Sequence, residues 1–184
     1  GASTINGTAL GGLGLQSVAA RADGTFDLAG LLPGSYRLTI SGITGRWWAR
    51  SAMLDGHDVL DESLVVADAD VAGLAVRVTD RHSSLSGSVR SAGGAPVSDL
   101  VVVVAPVDRA LWRPTARRIH WVRPATDGAF TLADLPPGEY LLAALTDFDV
   151  NDVRDASFAD QLVAASLKVT ISEGASARQD IRLG

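Results

Sequence analysis

The residues that come nearest to a chemical site form an acidic stretch in the last quarter of the chain. The four candidate metal ligands are Asp147, Asp149, Asn151 and Asp155. A calcium loop uses its first, third, fifth and ninth positions in this way. Its sixth position is normally glycine and its twelfth glutamate, whereas this chain has Asp152 and Phe158 there. The stretch is therefore either a calcium site or a solvated acidic loop in which Asp155 caps a helix.

Three tryptophans, Trp47, Trp48 and Trp112, are candidate ligand-binding residues. Trp47 and Trp48 are adjacent, so on a strand their rings face opposite sides and one can be exposed. Trp112 lies in an irregular segment, residues 108–116, beside Arg109 and Arg113. An exposed ring can stack on a sugar, but a ring in such a place can instead seal a junction between modules. Both interpretations stay open.

The sequence carries no recognisable catalytic constellation. His57, His82 and His120 have no second ligand at the spacing of a zinc site. The absence of cysteine excludes disulfides, a thiolate nucleophile and cysteine metal ligands. Phosphate-loop, dinucleotide and nucleophile-elbow motifs are missing too. We therefore predict that this chain is not an enzyme and has no cofactor, with calcium as the one exception considered.

The charge of the chain argues against nucleic acid and anionic membranes as partners. Its net charge is −5, Lys168 is its single lysine, and its arginines form no basic cluster. Binding to phosphates needs a concentrated positive surface. No apolar run is long enough to span a bilayer, so we predict no membrane insertion by this chain.

A phrase of nineteen residues occurs twice, at residues 22–40 and 126–144, with a separation of 104 residues. The shared positions are those that decide backbone geometry, including an Asp-Gly pair, a Pro-Gly pair and a tyrosine. An Asp-Gly pair favours a tight turn, and Pro-Gly supplies a second one. Phe26 and Leu28 alternate with polar residues, which predicts a strand with one buried face. Tyr36 and Leu38 resume the alternation in the next strand.

The second copy has further apolar segments that predict strands. They cover residues 85–90, 100–105, 117–122, 167–172 and 177–183. Short strands separated by Gly, Pro and Asp turns are typical of an all-β sandwich. One short helix is predicted at residues 156–162, where Asp155 can cap it and Phe158 and Leu162 share a face.

The repeat predicts two tandem antiparallel β-sandwich modules, at residues 1–82 and 83–184. The first is incomplete, because only 22 residues precede Asp23, and we expect it to lack about two N-terminal strands. Either the sequence is a piece of a longer protein, or the module is naturally open and takes a strand from a neighbour.

The second module resembles the carboxypeptidase regulatory-like domain family, whose modules are seven-stranded, transthyretin-like, Ig-like β-sandwiches. The motifs that carry the resemblance are residues 85–89, 94–97, 101–104, 127–130 and 135–140. The first module matches from Asp23 onward. In that family the module is usually an accessory domain, and tandem copies are found in large bacterial secreted or surface proteins.

From this resemblance we expect a non-catalytic structural or protein-interaction module that is extracellular, on the cell surface or periplasmic. Its partners would be other modules of the same protein or other protein chains. Homo-oligomers could form by strand pairing at the open first module. The alternative is an accessory module that binds carbohydrate or peptide through the exposed tryptophans.

Overall fold

The computed structural model describes residues 4–9, 15–113 and 116–184, with the backbone alone for residues 5–9, 15 and 16. The chain divides into two compact units, Gly1–Asp80 and Arg81–Gly184. The predicted modules meet two residues further on, after residue 82. Whether the units are copies of one module stays a prediction, and each is described by itself below.

The second unit contains two sheets of short strands. Its strands are β8 (Ser84–Arg90), β9 (Val101–Pro106), β10 (His120–Val122), β11 (Ala129–Ala133), β12 (Gly138–Leu145), β13 (Leu167–Ile171), β14 (Ser176–Arg178) and β15 (Ile181–Arg182). One sheet has the order β10-β9-β12-β13, and the other has the order β11-β8-β14, with β15 also paired to β8. Since β14 and β15 follow the same neighbour, they form one interrupted strand, and the unit has seven strand positions.

Side chains from both sheets of the second unit meet in one core. Leu85 and Phe130 come from one sheet, and Val104 and Leu142 come from the other. Leu85, Val104 and Leu142 are all fully buried. Two sheets with a shared apolar core are a β-sandwich, which confirms the predicted all-β class. The predicted helix is α1 (Ala156–Ala165), the one α-helix in the part of the chain that is described.

β8 is the inner strand of its sheet, and Gly87 lies where neighbouring groups leave no room for a side chain. A Cβ atom at this position would lie 1.9 Å from the carbonyl oxygen of Gln179 and 2.8 Å from the Phe130 ring. Asp180, between β14 and β15, also bonds to β8. Its carboxylate accepts hydrogen bonds from the amide and hydroxyl of Ser88, at 2.8 and 3.0 Å. These hydrogen bonds lower the pKa of Asp180, with the Ser88 hydroxyl as the largest cause.

The first unit also forms two sheets. Its strands are β1 (Thr4–Ala9), β2 (Leu15–Ala19), β3 (Gly34–Ser41), β4 (Trp48–Leu54), β5 (His57–Asp58), β6 (Leu64–Val66) and β7 (Ala75–Thr79). The sheets have the orders β2-β1-β3-β6 and β5-β4-β7. Tyr36, Leu38 and Leu64 from the first sheet pack with Ala52 from the second. This unit is therefore also a two-layered β structure.

The Asp-Gly turns predicted from the repeat have the same hydrogen bonds in both units. The amide of Thr25 donates to Asp23 at 2.9 Å, and the amide of Ala129 donates to Asp127 at 2.9 Å. Gly24 and Gly128 have φ angles of 83° and 81°, in the left-handed region that glycine adopts without strain. The local chemistry of these turns is therefore set by the repeated residues themselves.

The repeated tyrosines also have matching environments. Tyr36 and Tyr140 are buried, with 5% and 0% of their surface exposed. Each hydroxyl donates to the carbonyl four residues earlier, that of Leu32 at 2.7 Å and that of Pro136 at 2.5 Å. Each tyrosine thus ties a strand of its core sheet to the Pro-Gly turn before it.

The strand predicted around Phe26 and Leu28 is wrong. Residues 26–31 form no strand, whereas the corresponding β11 pairs along its length with β8. The prediction fails because a strand needs a neighbour, and the described part of the first unit places none beside these residues.

Two further predictions need correction. Among described residues, two strands precede Asp23 and three precede Asp127, so the first unit has one strand fewer, not about two. The reason is that β1 and β2, which the sequence analysis did not assign, pair with each other and β1 pairs with β3. The strand predicted at residues 117–122 begins only at His120.

The described residues contain no helix with the length and apolar character that a membrane span requires.

The tyrosine hydrogen bonds can be tested with Tyr36→Phe and Tyr140→Phe. Each change removes one hydroxyl and leaves a partly or fully buried carbonyl without its donor, so we expect each to lower the free energy of unfolding by about 1–2 kcal/mol. Equilibrium urea unfolding measures the change. Stability unaltered in both variants would contradict a shared structural role.

Candidate functional site

The acidic stretch after β12 caps two helical segments. Asp149 precedes a short 3-10 helix, Val150–Arg154, and accepts a hydrogen bond from the amide of Asn151 at 2.7 Å. In return, the amide of Asp149 donates to the carboxylate of Asp152 at 2.9 Å, which completes a capping box. Asp147 accepts from the amide of Phe148 at 2.9 Å.

Asp155 caps α1, as the sequence predicts. Its carboxylate accepts hydrogen bonds from the amide and hydroxyl of Ser157, at 2.7 and 2.8 Å, and from the amide of Phe158 at 3.4 Å. These bonds lower the pKa of Asp155, with the Ser157 hydroxyl as the largest cause, followed by the two amides. Leu162 on the inner face of the helix is buried.

These contacts favour the acidic-loop interpretation over calcium. The carboxylates of Asp149 and Asp155 are directed to backbone amides that begin different helical segments. Among the residues that the structure describes, no three His, Cys, Asp or Glu side chains are grouped so that they could hold a metal ion. Calcium at this loop stays a prediction, and a melting temperature that does not respond to calcium or to a chelator would remove it.

The three predicted tryptophans lie in different environments. Trp47 is 48% exposed, whereas Trp48, at the start of β4, is half-buried. Trp112 is 8% exposed and belongs to the core beside α1. Its indole Nε1 donates to the carbonyl of Pro106 at 2.7 Å, and the Arg109 guanidinium lies 5.9 Å from its ring centroid. The prediction that Trp112 is an exposed ligand-binding residue is therefore wrong, while ligand binding by Trp47 or Trp48 stays a prediction.

Sequence reasoning missed Trp121, an exposed aromatic residue of the second unit. The ring is 48% exposed, and its centroid is 5.4 Å from that of Phe148. Phe148 in turn lies 5.9 Å from Phe158 on α1. Alternation along β10 places His120 and Trp121 on opposite faces but does not show which face is exposed.

A groove of about 850 Å³ lies in the first unit. We call it the first-unit groove. One wall consists of residues 26–31, together with Pro33, and the other consists of residues 66–74, with Leu64 at its base. The equivalent walls in the second unit are β11 and β14, and β8 fills the space between them.

Neither wall of the first-unit groove is paired as its counterpart is. Within the described part of the chain, residues 26–31 and 67–74 make no backbone hydrogen bond to a strand. In the second unit, β11 and β14 both pair with β8. Backbone groups without a protein partner at a sheet edge are available to an additional strand.

The apolar side chains of this wall are only partly covered. Phe26, Leu28 and Leu31 are half-buried. Their counterparts Phe130, Leu132 and Leu135 are 4%, 4% and 0% exposed, because β8 and the facing sheet enclose them. The first-unit groove therefore combines unpaired backbone with apolar surface that a strand would cover.

Comparison with known proteins gives distant structural similarity only. The sequence matches no protein-family model and no curated protein. Similar solved structures include the Bacillus anthracis TIE protein (9% identity, TM-score 0.37). The match covers 98% of this chain and 30% of the TIE protein chain. Two others are GBS52, the minor pilin of Streptococcus agalactiae (10%, TM-score 0.40, 98% of this chain and 82% of that one), and BcpA, the major pilin subunit of Bacillus cereus (8%, TM-score 0.40, 99% and 59%).

The role of Asp155 can be tested by acid unfolding. Because its pKa is lowered in the folded state, its contribution to stability is present above the ordinary carboxyl pKa and is lost as the pH falls below about 4. Asp155→Ala should lower the melting temperature by a few degrees at pH 7. Asp155→Asn keeps a good cap but cannot titrate, so it should lose less stability than the parent between pH 7 and pH 3. Circular dichroism measures both, and parallel acid profiles would contradict the cap.

The burial of Trp112 can be tested with Trp112→Phe. The variant loses the buried hydrogen bond to Pro106 and part of the core, so we expect the free energy of unfolding to fall by about 1–3 kcal/mol. Trp47→Phe is the matched control and should stay within about 0.5 kcal/mol of the parent, because Trp47 is half exposed. Equal effects in urea unfolding would contradict the placement.

Proposed function

We propose that this chain is a non-catalytic structural and protein-interaction part of a bacterial protein located outside the cytoplasm, and that its first unit accepts an additional β-strand. The location rests on the resemblance of the motifs between residues 85 and 140 to those of secreted and surface modules. The same resemblance supports membership of the carboxypeptidase regulatory-like family, together with the seven strand positions of the second unit. The strand-accepting role rests on the first-unit groove.

The observation that carries this proposal is the unpaired backbone on both sides of the groove. An added strand could form hydrogen bonds with residues 26–31 on one side and residues 71–74 on the other. Edge pairing of this kind provides affinity through the main chain, while pockets for alternate side chains provide specificity. A strand there would restore the three-strand arrangement that β11, β8 and β14 have in the second unit.

The apolar surface of the groove supports the same function. Half-buried Phe26, Leu28 and Leu31 would be covered by a strand with apolar side chains on its inner face. Leu64 and Val66 are already buried beneath them. Burial of apolar area stabilises association by about 25 cal/mol per Å², before the cost of ordering the added strand.

The partner could be another module, another protein or a second copy of the chain. Light scattering across a concentration range distinguishes the last of these, since a second copy would give a particle that grows with concentration. A particle that stays monomeric would exclude pairing between copies in solution. The general strand-accepting function would then depend on a different polypeptide.

Hydrogen exchange tests the strand-accepting role directly. The probe is a synthetic peptide of residues 83–91, which contains β8, added to the full chain. We expect amide exchange at residues 26–31 and 71–74 to slow by about tenfold or more, because these amides gain hydrogen bonds. Amides of β11 should be unchanged, since β8 already covers them. Leu28→Asp in the chain should abolish the effect, and unchanged exchange in the parent would contradict the proposal.

A further inference from the structure

We infer that the first-unit groove selects one kind of strand from another polypeptide: an extended segment with the order aliphatic, polar, glycine, polar, aliphatic. This inference rests on the proposed function, because it specifies the strand that the groove would accept. The template is β8, which fills the corresponding position in the second unit with Leu85, Gly87 and Val89 directed to its core side. Leu85 and Val89 are fully buried.

The first wall sets the direction and register of the bound strand. β8 runs antiparallel to β11, with Leu85 opposite Leu132 and Gly87 opposite Phe130. The repeat of 104 residues places Leu28 and Phe26 at these two positions. The first aliphatic residue of a bound strand would therefore lie opposite Leu28, and its glycine opposite Phe26.

The second wall requires the opposite direction of pairing. β8 runs parallel to β14, with Leu85 opposite Ala177. The closing segments of the two halves match at a separation of 105 residues, with residues 76–78 against 181–183, so Ala72 occupies the position of Ala177. A bound strand that follows β8 would thus be antiparallel to one wall and parallel to the other.

Glycine at the third position follows from the shape of the wall. In the second unit, a Cβ atom at Gly87 would come within 2.8 Å of the Phe130 ring and 1.9 Å of a backbone oxygen. The first unit retains the ring as Phe26, on the wall of the groove. A larger residue opposite this ring would have to move the ring or the strand.

Charge narrows the choice of partner further. Three aspartates line the groove, Asp27, Asp68 and Asp70, and no lysine or arginine does. In the second unit Ser86 lies opposite Thr131, so the residue before the glycine would lie opposite Asp27. Asp27 is paired with Arg21, but Asp68 and Asp70 leave the groove with a net negative charge, so an acidic residue at this position should be disfavoured.

The position after the glycine distinguishes the two units. Ser88 donates to Asp180 in the second unit, whereas the corresponding residue of the first unit is Ala75. Alanine has no carboxylate that could accept a hydrogen bond from a hydroxyl at this position of the bound strand. The first-unit groove should therefore accept any polar residue at this position, and the serine of β8 should be dispensable.

Fluorescence anisotropy with labelled peptides and the full chain tests this selection. The parent peptide covers residues 83–91, and its variants carry Gly87→Val, Ser86→Asp or Ser88→Thr. We expect Gly87→Val to weaken binding by about tenfold to a hundredfold. Ser86→Asp should weaken it at low salt and recover as salt is added. Ser88→Thr should bind as the parent peptide does.

A variant of the chain provides the reciprocal test. Phe26→Ala removes the ring, which is one of the two contacts that favour glycine, so a peptide with Gly87→Ala should bind this variant better, relative to the parent peptide, than it binds the original chain. Leu32→Asp is the control, because Leu32 is 73% exposed and is not part of the groove. It should leave all peptide affinities unchanged.

The outcomes separate this inference from the function on which it rests. If the glycine and valine peptides bind equally and slow exchange at residues 26–31, the groove accepts strands but does not select this pattern, and the inference is wrong. If no peptide binds, both the inference and the strand-accepting function fail. Selection for glycine that Phe26→Ala relieves would support both.

Discussion

The pairing of an inner β-strand on both of its edges is the constraint on which the rest of this structure depends. In the second unit β8 satisfies this constraint, because it pairs with β11 on one side and with the interrupted strand β14 and β15 on the other. Its inward residues fill the core, and Gly87 allows the Phe130 ring and the Gln179 carbonyl to approach closely. Where such a strand is present, both neighbours become ordered strands.

In the first unit, the residues that the repeat aligns with β11 line a groove, and no described strand pairs with them. Its Asp-Gly turn and its buried tyrosine are formed as in the second unit. The residues after the turn nevertheless stay unpaired, and a groove of about 850 Å³ remains. The two phrases, which share about half of their residues, can therefore be compared with and without a strand partner.

How much the sequence could predict depended on the range of the interactions involved. The turn at Asp127, the helix cap at Asp155 and the tyrosine positions were predictable, because each depends on residues within a few positions of one another. The strand at Phe26 could not be judged from its own alternation, since its formation requires a neighbour elsewhere in the chain. Trp112 was misjudged for a similar reason: its Nε1 bonds to Pro106, and its core neighbours come from β12 and α1.

Native-state hydrogen exchange on the free chain tests the central claim most directly. The comparison is between the amides of residues 26–28 and those of residues 130–132, which are the repeated segments with and without a partner strand. The account predicts that the second set is strongly protected and that the first exchanges at nearly the rate of an exposed loop. Equal protection in both sets would mean that a strand already occupies the first-unit groove, and the account would be wrong.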